Sequence, residues 1–169
     1  MKFSVYFLVV FISVFFIVAC NNTNSNLSLL QNQQDEQLID SLKKVSDTFY
    51  VKRYGRTDFV TAEYIIVKKD SIHVQVMRDS ANKLRQLVVT KKNINVYVAR
   101  FFKNGQLMAK TTCNVKGNID GIATNYYDNG SVKEHGNYTN GIKTGKWKEY
   151  SVENKLTETV FDTNGIKIR

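Results

Sequence analysis

Three patterns of apolar residues follow one another along this chain. The stretch from Phe3 to Ala19 is almost continuously apolar, residues 35–48 carry apolar side chains every three or four positions, and alternation begins at Tyr50. A period of three to four residues predicts an amphipathic helix, and a period of two predicts strands with one buried face. The sequence therefore predicts a mainly β fold with one short N-terminal amphipathic helix.

The helical pattern is short and follows a polar tract. Residues 20–34 are rich in Asn and Gln and predict a flexible tether. The apolar residues of 35–48 fall on one face, while the charged ones fall elsewhere; this face comprises Leu38, Ile39, Leu42, Val45 and, just beyond, Phe49. We expect this helix to cap one end of a sheet.

Short strands separated by turns follow over residues 50–98. Ile72, Val74 and Val76 alternate with polar residues, as do the apolar residues of 94–98. The short apolar runs 64–67 and 87–89 are bounded by turn-like Lys-Lys-Asp and Lys-Lys-Asn sequences. Residues 35–98 are therefore predicted to be a helix followed by an antiparallel meander.

An internal repeat organises residues 99–169. Gly117, Gly141 and Gly165 are 24 residues apart, as are Gly121 and Gly145. Four Asn-Gly pairs mark the same region, and such a pair supplies the two positive-φ positions of a tight hairpin turn. A single hairpin is too small to bury its aromatic face, so successive hairpins are expected to form one elongated single-layer sheet.

The residues of this repeat resemble the bacterial variant of the MORN repeat. The resemblance rests on the segments 126–130, 133–141 and 143–150, and it extends over about residues 99–169. It implies a curved single-layer sheet that binds through one face and has no catalytic residues or cofactor. Asn154 departs from the pattern where glycine is expected, and residues 50–98 are either eroded copies or an unrelated lead-in.

The N-terminal stretch predicts export and lipidation. Lys2 precedes the apolar run, and Ala19-Cys20 closes it where a signal peptidase would cut. A small residue followed by a nucleophilic thiol resembles a bacterial lipoprotein signal, with residues 1–19 removed and Cys20 acylated. The alternative is an uncleaved membrane anchor, for which 17 residues lie at the lower limit. Because Asn21 is not acidic, the sorting pattern of such lipoproteins predicts the outer membrane, and because no acidic run follows Cys20, it predicts the side facing the periplasm.

The positive charge predicts either a solvated surface that keeps an exported protein soluble, which is the simpler interpretation, or a surface that attracts an anionic partner. Of the formal net charge of +9, residues 91–169 carry +6, with 13 basic and 7 acidic residues. Basic, aromatic-rich surfaces often bind nucleic acid, but export argues against that partner. The membrane reached through the lipid, an anionic envelope polymer or an acidic protein remains, and the predicted binding surface comprises Lys143, Lys146, Trp147, Lys148 and Tyr150.

No residue set predicts catalysis or a metal site. Cys113 has no partner for a disulfide once Cys20 is acylated, and it lies in a strand-like stretch typical of a small buried hydrophobe. His73 and His135 are too few for a zinc site. The sequence favours a non-enzymatic lipoprotein that binds a protein or envelope component. The alternative is an exported antitoxin-like or immunity protein that neutralises a toxin.

Overall fold

The computed structural model describes residues 24–55 and 61–169, with side chains from residue 31 onwards. Ten antiparallel strands form one open sheet in which every strand lies beside its neighbours in sequence, which confirms the predicted mainly β meander. One helix, α1 (Asn24–Val45), precedes the sheet. The strands are β1 (Thr48–Arg53), β2 (Thr61–Val67), β3 (Ile72–Arg78), β4 (Leu84–Lys91), β5 (Ile94–Phe101), β6 (Leu107–Thr112), β7 (Gly121–Tyr126), β8 (Val132–Thr139), β9 (Ile142–Tyr150) and β10 (Leu156–Phe161).

The helix begins earlier than its apolar period indicates. Helix α1 starts at Asn24 rather than near residue 35, so most of the predicted tether of residues 20–34 is helical. The reason is contact with the sheet: the Asn32 amide donates a hydrogen bond of 3.0 Å to the Gly105 carbonyl. A polar tract thus gains tertiary partners that a search for apolar periodicity cannot detect.

The helix covers one face of the N-terminal half of the sheet. Ile39 and Leu42 of α1 are buried among alternate residues of β2 to β6. These sheet residues are Ile65, Val67, Ile72, Val74, Val76, Leu87, Tyr97, Ala99, Phe101 and Leu107. Burial of these apolar side chains is the main force that holds the helix on the sheet.

A buried arginine also joins the helix to the sheet. The Arg78 guanidinium of β3 donates to both carboxylate oxygens of Glu36 at 2.6 and 2.7 Å, and to Glu63 of β2 at 2.5 Å. Lys43 of the helix lies 2.5 Å from the second oxygen of Glu63. Despite the opposing effect of desolvation, Lys43 and Arg78 together lower the pKa of the Glu63 carboxyl.

A second polar cluster lies under the N-terminal part of the helix. The Tyr97 hydroxyl donates to the buried Asp35 carboxylate at 3.0 Å, and Gln31 donates to the same group at 3.2 Å. Lys110 of β6 donates to the Gln31 side-chain oxygen at 2.7 Å. Burial raises the pKa of Asp35 to about 6, although these hydrogen bonds and Lys110 oppose the shift.

The hairpin turns are of two kinds. Asn140 (φ 52°) and Gly141 (φ 86°) both have positive φ, as predicted for a two-residue turn. At Gly105, Gly130 and Gly165 the preceding Asn keeps negative φ, so the two-residue interpretation is wrong there. Each of these glycines instead ends a three-residue loop; in one of them the Gly130 amide donates to the Tyr127 carbonyl.

The 24-residue spacing extends further towards the N-terminus than the glycines indicate. Positive φ recurs at residues 93, 117, 141 and 165, in turns at one end of the strands. In turns at the other end of the strands it recurs at nearly the same spacing, at residues 82, 105, 130 and 154, where Asn82 and Asn154 take a conformation that favours glycine. Hairpins of the same geometry are therefore present in residues 72–98 as well.

Candidate binding face

A row of paired residues shows which side chains share the face covered by the helix. Lys110, which contacts Gln31 of the helix, pairs with Thr124, and the row continues through His135 and Lys148 to Glu158. Directly paired residues of antiparallel strands project to the same side of a sheet. Lys148 therefore lies on the helix side, and alternation places Lys146 and Tyr150 there too.

Helix α1 covers the first part of this row of paired residues and leaves the rest exposed. Its main contacts are with β2, β4 and β6, and Tyr126 of β7 and Val132 of β8 still pack into the core beneath it. Further along the sheet the same side exposes its side chains; we call this area the open face and define it by Ile122, His135, Lys146, Lys148, Tyr150 and Leu156. Ile122 is 68% exposed and Leu156 is 45% exposed, so apolar side chains lie among the lysines.

Trp147 lies on the opposite side of the sheet and is buried. It packs against Gly136 of the neighbouring strand, where a side chain would overlap the indole ring. The Tyr138 ring meets it edge-on with centroids 5.0 Å apart, and its Nε1 donates to the Asn137 carbonyl at 3.1 Å. The assignment of Trp147 to a binding surface is therefore wrong, because its ring is used in packing within the sheet.

The Lys143 side chain lies on the same side of the sheet as Trp147, opposite to Lys146 and Lys148. Its ammonium lies 3.9 Å from the centroid of the Trp147 ring and 2.9 Å from the Glu134 carboxylate. Lys143, together with Asn125, lowers the pKa of Glu134 against the effect of burial. The predicted surface thus divides into Lys146, Lys148 and Tyr150 on the open face, and Lys143 and Trp147 behind it.

The two sides of strands β7 to β10 differ in charge. The open face carries Lys146, Lys148 and Glu158, a sum of +1. The other side carries Lys143, Glu134 and Glu149, a sum of −1. Lys146 pairs with Glu158 at 3.3 Å while both remain well exposed. The positive charge of this half therefore lies on the face that also exposes apolar side chains.

Cys113 and His135 both have shifted pKa values. Burial raises the pKa of the Cys113 thiol, which favours its unreactive protonated form. His135 accepts or donates a hydrogen bond of 2.8 Å with Thr124, and burial, with Lys148, lowers its pKa. No group of three or more potential metal ligands occurs among the residues that the structure describes.

The predicted lipidation site, Ala19-Cys20, lies outside the described residues. Within residues 24–55 and 61–169, no helix combines the length and the apolar character needed to cross a membrane.

Comparisons with known proteins leave the family open. No family model and no curated protein matches the chain. Two TarM structures are similar at 13% identity, one of them a mutant from S. aureus in complex with fondaparinux, α-GlcNAc-glycerol and UDP. Their TM-scores are 0.34 and 0.39, covering 71% and 91% of this chain. The chain spans 27% and 30% of theirs, and the likeness carries no argument about function.

Proposed function

We propose that this protein is a lipid-anchored, exported, non-enzymatic binding protein whose open face contacts an acidic protein or anionic polymer of the cell envelope. The lipid attaches at Cys20, after removal of residues 1–19, in the periplasmic leaflet of an outer membrane. The antitoxin-like alternative predicts one specific protein toxin as the partner instead.

The unequal distribution of charge in strands β7 to β10 carries the proposal. Lysines and exposed apolar side chains share the open face, and such mixed surfaces combine electrostatic attraction with apolar contact area. Lys146 and Lys148 project from the same strand on this side, with Tyr150 next to them. The opposite side lacks this combination, because Lys143 and Trp147 are engaged within the sheet.

Metabolic labelling with a radioactive fatty acid tests the anchor. The wild-type protein should incorporate label, and Cys20→Ala should not. Cys113→Ala is the matched control, because it removes the other cysteine of the chain. Equal labelling of wild type and Cys20→Ala would contradict lipidation at this residue.

Capture of partners from solubilised envelope tests the class of ligand. The wild-type chain should retain the same envelope polymer or acidic protein reproducibly. Lys146→Glu combined with Lys148→Glu should retain less of it. Recovery of a single toxin with no envelope component would favour the immunity alternative over the proposed function.

A further inference from the structure

The two edges of the sheet are protected unequally. At the β10 edge the C-terminal residues fold back, with the Ile168 amide donating to the Val160 carbonyl at 2.8 Å and the Val160 amide donating to Arg169. At the β1 edge no other part of residues 24–55 and 61–169 pairs with the outer side of the strand. An unpaired strand edge is a template for another strand.

Strand β1 has few of the features that prevent edge pairing. It pairs with β2 over six residues without a bulge, and the chain contains no proline. Phe49, Tyr50 and Val51 are between 40% and 48% exposed. The charged side chains of the strand are Lys52 and Arg53, both exposed, and the Lys52 ammonium lies over its own sheet, 5.9 Å from the Tyr50 ring centroid and 5.5 Å from that of Tyr64.

We propose that β1 pairs antiparallel with β1 of a second copy of this chain, around a two-fold axis at Val51. This register sets Tyr50 opposite the partner's Lys52 and Phe49 opposite the partner's Arg53. The result is a continuous sheet of two protomers with both helices on one face, because a two-fold axis normal to the sheet preserves its sides. This inference is independent of the proposed binding function.

The order of residues within β1 is what selects a second copy. The strand has an aromatic half, Phe49-Tyr50, and a cationic half, Lys52-Arg53. Antiparallel self-pairing places each aromatic ring beside a cation of the other copy and separates the like charges. The same contact exists within one protomer, where Lys43 lies 5.0 Å from the centroid of the Phe49 ring. An acidic peptide would match the cations but would bring no cation to the aromatic half.

Sedimentation of the full-length chain in density-matched detergent tests the pairing. We expect a wild-type dimer, and Val51→Lys should weaken it about tenfold or more, since the axis places the two introduced charges directly opposite. Val152→Lys, at an exposed apolar position in the turn between β9 and β10, is the matched control and should remain dimeric. A monomeric wild type, or loss of the dimer in Val152→Lys alone, would overturn the proposal.

Disulfide trapping tests the register without relying on a destabilising variant. In a Cys20→Ala and Cys113→Ala background, Val51→Cys should form an intermolecular disulfide under mild oxidation, because position 51 meets itself at the axis. Tyr54→Cys should not, since the register places it opposite the partner's Thr48. Equal trapping at both positions would reject this register, and trapping at neither would reject pairing through β1.

Discussion

The indole ring of Trp147 lies flat against Gly136, so that a tryptophan is buried in a sheet that has no second layer at this point. The contact is possible because Gly136 has no side chain: a Cβ there would overlap the ring atoms of Trp147. The Trp147 Nε1 also finds an acceptor, the Asn137 carbonyl, so burial leaves no unpaired donor.

We therefore expect Gly136→Ala to lower the free energy of unfolding by about 1–3 kcal/mol, because the methyl group forces the ring out of its site. Chemical denaturation followed by tryptophan fluorescence measures this loss. The control is Gly55→Ala, since a Cβ at Gly55 would meet no atom within 4 Å. Equal stability of Gly136→Ala and the parent would contradict the packing of Trp147 described above.

The turn at Asn140-Gly141 makes a second prediction. Gly141 has φ 86°, a conformation that strains a β-branched residue, so Gly141→Val should cost about 1–3 kcal/mol. Thr163→Val is the control, because Thr163 lies in a turn at the same end of the strands as Gly141 and is not among the residues with positive φ. Thermal unfolding should show a lower midpoint for Gly141→Val alone.

A third prediction concerns the ion pairs of Arg78, which join the helix to the sheet. Arg78→Ala should destabilise the protein by about 3–5 kcal/mol, because it leaves the buried Glu63 carboxylate with Lys43 as its one remaining cation. Lys146→Ala breaks an exposed ion pair with Glu158 and should cost at most about 1 kcal/mol. Amide hydrogen exchange should increase over residues 31–45 in the first variant and stay unchanged in the second.

Asp35 makes a fourth prediction, on the pH dependence of stability. Its pKa rises from 3.8 to about 6 on folding, so the native state binds its proton more tightly than the unfolded state does. Below pH 3.8 the group is protonated in both states and costs nothing. As the pH rises from about 4 to about 6, the unfolded state releases this proton while the native state keeps it, so stability falls by on the order of 3 kcal/mol in total.

Denaturation of wild type and Asp35→Asn across this pH range isolates the effect of Asp35. The other carboxyl groups are present in both proteins, so their contributions cancel in the difference between the two free energies of unfolding. Wild type should lose stability relative to Asp35→Asn as the pH rises. Asp40→Asn, an exposed position on the same helix, should follow the wild type at every pH. A flat difference between wild type and Asp35→Asn would show that burial of this carboxyl costs little.

The strands were predictable because their signal is local. Alternation in residues 72–76 and 94–98 places strands where β3 and β5 are found, and the run from Tyr126 to Val132 contains the turn between β7 and β8. The start of the helix was not predictable from its period. Gln31 and Asn32 are held by Lys110 and Gly105, which are distant in sequence.

The distribution of these side chains between the two sides of the sheet was predicted in part. Alternation correctly separates Trp147 from Tyr150, but the sequence gives no sign that Gly136 provides a site for the indole ring. The sharing of one face by Lys146 and Lys148 follows from their spacing of two residues. The same alternation places Lys143, three residues before Lys146, on the opposite side, and its partner there, Glu134, is set by the pairing of β8 with β9.

Retention on envelope material as a function of salt tests the central claim most directly. The variants are Lys146→Glu with Lys148→Glu, on the open face, and Lys83→Glu with Lys103→Glu, which makes the same change of net charge elsewhere on the surface. Circular dichroism first establishes that both pairs fold. We expect the open-face double variant to bind less envelope material than wild type, with the largest difference at low ionic strength. The other double variant should bind as much as wild type. Equal retention by all three proteins, or equal losses in both pairs, would contradict binding through the open face.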